Sequence, residues 1–363
     1  MTLDKIEHFE TGSKDNYLPV ATAYFLNAFL KKRNELLKNQ MNLIIRNFLL
    51  LSLFALTACT TVPRERVFDD FAVVKTEAGD SLSSLAARYL NDPEKDWQIA
   101  EFNNLTALSP GQELIIPLHP FKRGGLGANG YQTVPILAYF RFSKEKTAKS
   151  IVAEAAFKDQ MQFLKENGYR GITLDQLMGF LEFKAQIPEK SVVITFDDGW
   201  RSLYDIAFPV LRDYGFPATL FVSTEFIGEK NAMSWDQVKV LAETGFDIQC
   251  KITTRANPAE LRNPEAFKEY FIALQGEVTR SKKIIKKRLN LECRYLAYPY
   301  GETNNVVVAM AKKEGFRAAF IENRGRNPFF VNNYRVNRFV IHGGFNMAQY
   351  KKNLSVFYKS DLK

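Results

Sequence analysis

Histidine is scarce in this chain of 363 residues: His8, His119 and His342 are all there are, and no two are close in sequence. A metal or acid-base site built on clustered imidazoles therefore has few groups to draw on. Cysteine is as rare, with only Cys59, Cys250 and Cys293, too few for a domain stapled by disulfides. No stretch combines clustered basic residues with a ladder of aromatics, which argues against nucleic acid as a partner. What is present is a globular composition, 46% hydrophobic and 25% charged, on a chain long enough for two domains. The formal charge is +9, and residues 1–58 hold seven Lys/Arg against five Asp/Glu. The excess is thus spread along the chain and suits an acidic envelope polymer or a membrane surface better than base reading.

The first 59 residues read as targeting. Residues 41–59, MNLIIRNFLLLSLFALTAC, have a positive start at Arg46, an apolar run from Phe48 to Leu56 and small residues before Cys59. LTAC resembles a bacterial lipobox, which implies a lipid anchor on Cys59; an ordinary signal peptide or an uncleaved anchor is the other reading of the same residues. Thr60, rather than Asp, after Cys59 resembles the pattern for retention on the periplasmic face of the outer membrane. Residues 1–40, polar and ahead of a signal with its own Met41, read as a non-native extension from a misplaced start. Cys250 ends one expected strand and Cys293 begins the next, so a parallel pair would hold them on the order of 10 Å apart, and both are expected as free thiols.

Residues 70–117 form a small unit. Alternation from Phe71 to Val74 predicts a strand, a cap near Asp80 or Ser81 opens a helix, Trp97 to Asn103 is a second helix, and LSPGQELIIP supplies a turn and a strand. This βααβ order, with GDSLSSLA, IAEFN and LSPGQELIIP, resembles a LysM domain over its whole length. The resemblance implies binding to N-acetylglucosamine-containing glycan such as peptidoglycan; a spacer without a ligand is the plainer alternative. Residues 118–131 are Gly-rich and read as a linker or lid, with His119 solvent-exposed.

From residue 132 to 363, apolar strands (VPILAYF, SVVITF, ATLFV, FDIQC, RYLAYPYG, RAAFI, RFVIH) alternate with helices. Capping boxes at Thr173/Gln176 and Ser234/Gln237 open two of those helices. Continuous apolar runs fit strands covered on both faces, and at least six alternations predict an α/β barrel. In such a barrel reactive groups sit at the carboxyl ends of strands, where Asp197 and Asp198 follow SVVITF and Gly199 permits a sharp turn. Adjacent carboxylates can divide labour, one holding a metal and the other taking a proton. A solvated Asp-Asp-Gly turn is the bland reading of the same residues.

In order across residues 133–345, VPILAYF, VVITFDDGWRSLYDIAFPVLRDYGFPATLFV, MSWDQVKVLAETGFDIQ, RYLAYPYGETN and NPFFVNNYRVNR resemble the polysaccharide deacetylases of carbohydrate esterase family 4. The resemblance implies a distorted (β/α) barrel and metal-dependent removal of acetyl groups from N-acetylglucosamine units. It implies Asp197 as general base, Asp198 as the metal carboxylate, and Tyr300 as donor of a backbone N–H to the oxyanion. Tyr300, Trp235 and Tyr139 are the candidates to line the sugar site, with a packing anchor beside the helix cap as the favoured reading of Trp235. Arg294 and Arg338 read as structural ion-pair formers, Asp247 as a polar residue opening a strand, and SKKIIKKR as a solvated helix face.

Two departures matter. Where the family has His-x-x-x-His, DIQCKITTRANP has Lys251 and Arg255; where its first strand often ends Tyr-His, this one has Tyr139 and Phe140. An ammonium and a guanidinium offer a cation no lone pair, but they can neutralise Asp197 and Asp198 by ion pairing. Without a Lewis acid, water keeps a pKa of about 15.7 rather than about 7. The expectation is a lipid-anchored envelope protein that binds N-acetylated glycan, needs no cofactor, and has lost or impaired deacetylation. The alternative is an active deacetylase dependent on zinc or another divalent metal.

Overall fold

The computed structural model describes residues 65–121, 123–127, 129–252 and 264–360. Residues 1–40, the segment 41–59 with Cys59, and Arg255 lie outside them. Residues 67–359 form one compact unit.

Its larger part is organised by the two-residue period of β-strands. Eight strands line up in one sheet: β1 (Ile136–Tyr139), β2 (Ser191–Asp198), β3 (Thr219–Val222), β4 (Asp247–Lys251), β5 (Tyr295–Ala297), β6 (Ala318–Ile321), β7 (Val336–Asn337) and β8 (Phe339–Val340). The spatial order is β7-β6-β5-β4-β3-β2-β1-β8, with every pairing parallel. Because β7 and β8 sit at opposite ends of this order and only Arg338 separates them in sequence, the sheet curls into a nearly closed barrel.

Alternate residues then face alternate layers. On β2, Val192, Ile194 and Phe196 join the outer core against the helices, whereas Val193 joins the inner cluster with Ile136, Phe221, Tyr295 and Phe320. Thr195 and Asp197 share the parity of Val193 and so point inward. On β4, Ile248 and Cys250 face outward, which turns Gln249 and Lys251 inward. A one-residue slip would put Asp197 and Lys251 into the hydrocarbon layer.

The helices outside carry the expected start signals: Thr173 with Gln176 and Ser234 with Gln237 form reciprocal capping boxes. After β2 the chain forms a π turn, Leu203–Ala207, followed by an α-helix, Phe208–Tyr214. Pro209 lacks the N–H that would continue the earlier ladder. None of the described helices is long and apolar enough to cross a membrane.

The N-terminal βααβ unit is built from strands Phe71–Lys75 and Glu113–Pro117, paired antiparallel, and helices Leu82–Leu90 and Asp96–Phe102. Ser81 caps the first helix in a box with Ser84. Seven small and aliphatic side chains, among them Val74, Leu85, Ile99 and Ile116, make its core. Each large one contributes about 1.5–3 kcal/mol by burial.

Two expectations are corrected. Residues 118–131 are not simply a linker or lid: Leu126–Gly127 and Gly130–Gln132 are strands of a small antiparallel sheet completed by Phe357–Lys359. Gly130 is required there, since a Cβ would lie 2.0 Å from the Tyr358 carbonyl oxygen. Cys250 and Cys293 are both free and buried, but they lie close enough for Cys250 to push the Cys293 thiol up, rather than far apart. Cys293 lies in the irregular segment before β5, so the strand register does not set its separation from Cys250.

Candidate active site

The inward parity of β2 and β4 brings Asp197 and Lys251 together at the carboxyl end of the barrel. Lys251 Nζ lies 2.7 Å from Asp197 Oδ2 and 3.0 Å from Asp198 Oδ1. From the barrel seam, Arg338 reaches Asp197 through two hydrogen bonds, Nη1 to Oδ1 at 2.6 Å and Nη2 to Oδ2 at 3.0 Å. Glu322, just past β6, stands 3.9 Å from Arg338 Nη2. Asp197, Lys251 and Arg338 are all buried.

Asp198 has the wrong parity to face inward, and backbone conformation compensates. Its φ of 74° is a left-handed value unusual for a non-glycine residue, and it turns the carboxylate back toward the mouth of the barrel. There Asp198 Oδ2 accepts from Trp200 Nε1 at 3.2 Å. Gly199 follows with φ 112°, where a Cβ would lie 2.4 Å from Ile227. Tyr300, the residue expected to face the oxyanion, is also left-handed at φ 52° and is 63% exposed.

Electrostatics follow from this crowding. Burial alone would raise the Asp197 carboxyl, but the charges and hydrogen bonds of Arg338 and Lys251 outweigh it and hold the group below its ordinary range. Burial would lower Lys251, yet Asp197, Asp198 and Glu322 raise it above the usual lysine value. Glu322 is raised, first by burial and then by the charge of Asp197. Lys251 is thus an ammonium at neutral pH, and Asp197 is a carboxylate with little affinity for a proton, a poor starting point for a general base.

Beside the cluster opens a cleft of about 740 Å³ whose walls include Asp198, Trp200, Ser223, Phe226 and Tyr300. Trp200 packs on Phe226 with ring centroids 4.6 Å apart, and Arg141 lies 4.8 Å from the Trp200 ring. Ser223 Oγ is buried and has no hydrogen-bond partner among the described residues. A ligand with hydroxyl or amide groups can supply that partner.

Two sugar-site expectations do not hold. Tyr139 is fully buried in the aromatic core with Phe142, Phe157 and Phe196, and its hydroxyl donates to Gln160 at 2.8 Å. The outward parity of the last β1 residue places it there. Trp235 packs on the outer core at the start of its helix, under the Arg288 guanidinium at 5.8 Å, and is absent from the cleft walls. The aromatic beside Asp198 is Trp200, which DDGW contained and which a strand-end argument could have singled out. Glu322, one residue beyond the RAAFI strand, was open to the same argument. Phe140, where the family often has histidine, sets its ring 5.1 Å from Lys251 Nζ.

A polysaccharide deacetylase family model matches residues 184–319, and a LysM model matches residues 74–117. The chain thus contains a polysaccharide deacetylase domain and a LysM domain. Its deacetylase domain is 27% identical over 210 residues to the poly-beta-1,6-N-acetyl-D-glucosamine N-deacetylase of Staphylococcus aureus, covering 56% of this chain and 72% of that protein. It is 29% identical over 184 residues to YxkH of Bacillus subtilis, whose name places it among the polysaccharide deacetylases. That match covers 51% of this chain and 62% of the Bacillus protein's length. In fold the domain is similar to the Streptococcus pyogenes deacetylase PplD, with TM-score 0.55, 23% identity, 61% of this chain and 98% of that one. It is also similar to IcaB from Ammonifex degensii, with TM-score 0.53, 23% identity, 62% of this chain and 97% of that one.

Deacetylases of this family generally use a divalent metal, and the described residues around Asp197 and Asp198 do not fit one. Among the described residues no three His, Cys, Asp or Glu side chains converge. Every oxygen of Asp197 and Asp198 already faces an N–H donor: Arg338, Lys251 or Trp200. The ammonium between the two carboxylates offers no lone pair and would repel a second cation.

Proposed function

We propose that this protein binds N-acetylglucosamine-containing glycan of the cell envelope, peptidoglycan foremost, and that its deacetylase domain recognises the polymer without hydrolysing it efficiently. The observation that carries this reading is the position of Lys251 Nζ, 2.7 Å from Asp197 and 3.0 Å from Asp198. It neutralises the pair that a metal would otherwise draw on, and it removes the proton affinity a base needs. Recognition is supported by the LysM match and by the open cleft with Trp200, Phe226, Tyr300 and the unpartnered Ser223 hydroxyl. The S. aureus relatives, named for a polymer of the same sugar, support the substrate class. The lipobox-like residues 56–59 support anchoring through Cys59, with the glycan-binding part at the periplasmic face of the outer membrane.

The test uses the purified full chain. Metal content is measured together with acetate release from N-acetylated oligosaccharide and co-sedimentation with peptidoglycan. Co-sedimentation, substoichiometric metal and no acetate are expected. Stoichiometric zinc with acetate release that Asp198→Ala abolishes would overturn the reading. Failure to sediment with any N-acetylated glycan would overturn the recognition half.

A further inference from the structure

At the amino ends of the barrel strands, away from the Asp197 cluster, aromatic side chains run in an unbroken series. Phe183 meets Phe329 at 5.3 Å between ring centroids, Phe329 meets Phe330 at 5.3 Å, Phe330 meets Tyr131 at 5.1 Å, and Tyr131 meets Tyr358 at 5.3 Å. Arg326 lies over the Tyr358 ring at 4.2 Å. Topology puts these residues at one end: Tyr131 precedes β1, Phe183 precedes β2, and Phe329 and Phe330 precede β7. Phe330 is 51% and Phe183 42% exposed. Contiguous exposed apolar surface of this kind marks interaction sites. The series is held firmly at one end, where Gly124, with φ 65°, would place a Cβ 2.3 Å from the Phe183 ring.

The series leads into the LysM domain. Phe121 donates its backbone N–H to Gln186 Oε1 at 3.2 Å, three residues from Phe183, and packs edge-on against Phe102 at 4.9 Å. Phe102 closes the second LysM helix. The two domains are tied together by Arg170, which pairs with both oxygens of Asp96 at 2.8 and 3.0 Å, and by the Glu189 N–H donating to Glu101 at 2.7 Å.

We propose that this strip is a second glycan-binding surface, on which pyranose rings stack along a polymer that the LysM domain already holds. The proposal rests on the glycan reading above. Sugar rings present an apolar face of C–H groups and a polar edge of hydroxyls, and a row of rings bearing the Tyr131 and Tyr358 hydroxyls beside Arg326 answers both. The rim mixes charge, with Glu182 and Glu189 as well as Lys184 and Arg326. That mixture suits an uncharged polymer better than an anionic lipid surface, which selects clustered basic residues. Continuity with the LysM domain makes the second contact intramolecular, so longer polymers gain most.

The experiment is calorimetric titration of the full chain with chitotriose and chitooctaose. Phe330→Ser and Phe183→Ser are each expected to weaken octaose binding about tenfold while leaving triose binding unchanged, and Phe330→Trp to retain both. Unchanged octaose affinity in both serine variants overturns the strip and leaves the glycan reading standing. A wild-type chain that binds neither oligosaccharide sinks the glycan reading and the strip with it. Two further outcomes would assign the surface to another occupant: loss of binding to phosphatidylglycerol vesicles in Phe330→Ser with octaose binding intact, or loss of a concentration-dependent dimer in that variant.

Discussion

Arg338 Nη1 stands 2.6 Å from Asp197 Oδ1, and neither side chain reaches solvent. The contact spans the barrel: Arg338 comes from the seam between β7 and β8, Asp197 from β2, two strands from β8 in the sheet order. The arginine is the last element of closure, and its charge has a defined partner inside. With Lys251 it makes two cations against the two adjacent aspartates, so the barrel mouth is held by ion pairs whose neutralisation is internal.

Because Arg338 and Asp197 have no exposure, removing one leaves the other's charge buried. Arg338→Met is expected to cost about 3–5 kcal/mol. Asp197→Leu combined with Arg338→Met should cost clearly less than the two single changes together. Urea denaturation of the three variants checks this, and simple additivity would count against a coupled pair.

Converting the two cationic positions to the family's residues should rebuild a metal site. Lys251→His with Arg255→His is expected to bind zinc with a stoichiometry near one, measured by elemental analysis, while the wild-type chain does not. A double variant that takes up no metal would show that the ligand positions are misplaced.

Asp197 titrates below its ordinary range, so its contribution is present above the unfolded value of about 3.9 and disappears as pH falls through the lower folded value. Lys251 titrates above its ordinary range, so its contribution is full below about 10.4 and disappears as pH rises through the higher folded value. Glu322 runs the other way for a carboxyl: raised by burial, it favours the folded state at low pH and loses that contribution as pH rises through its folded value. Thermal melts should therefore show a plateau bounded by an acid loss, and Glu322→Gln should remove a decline just above about pH 4.3.

Cys250 and Cys293 are both buried, and the neighbouring Cys250 together with burial pushes the Cys293 thiol far up. Neither should react with a thiol reagent in the native state, and both should react at once in denaturant. Rapid native modification of Cys293 would contradict the packing described.

Tyr300 protrudes into the cleft from a left-handed backbone. Tyr300→Gly should leave stability unchanged or raise it by up to about 1 kcal/mol, because glycine adopts this conformation without strain. The same change should weaken glycan binding measured by co-sedimentation.

Much of the fold was legible. The strands from VPILAYF to RFVIH and both capping boxes formed because apolar runs and side-chain caps act locally. The carboxylate pair, the lysine at position 251 and the tyrosine of YPYG were legible too, since strand ends are where a barrel keeps its reactive groups. Tyr139 was misread because a strand end does not reveal which parity faces the core. Trp235 was open to packing or binding, with packing favoured, and its neighbours on the outer core decide for packing. Trp200 and Glu322 went unnoticed although both lie within two residues of a strand end.

The sequence by itself determined the order of elements, the LysM and deacetylase resemblance, and the presence of a lysine at the end of the DIQCK strand, all of which depend on residue identity and short-range pattern. Only the tertiary structure decided that Lys251 bridges both aspartates, that Arg338 closes the seam onto Asp197, and that five rings from four separate segments join into one strip. Those are contacts between residues dozens to hundreds of positions apart. They exist because strand parity and barrel closure bring such residues within a few ångströms, and no local pattern encodes that distance.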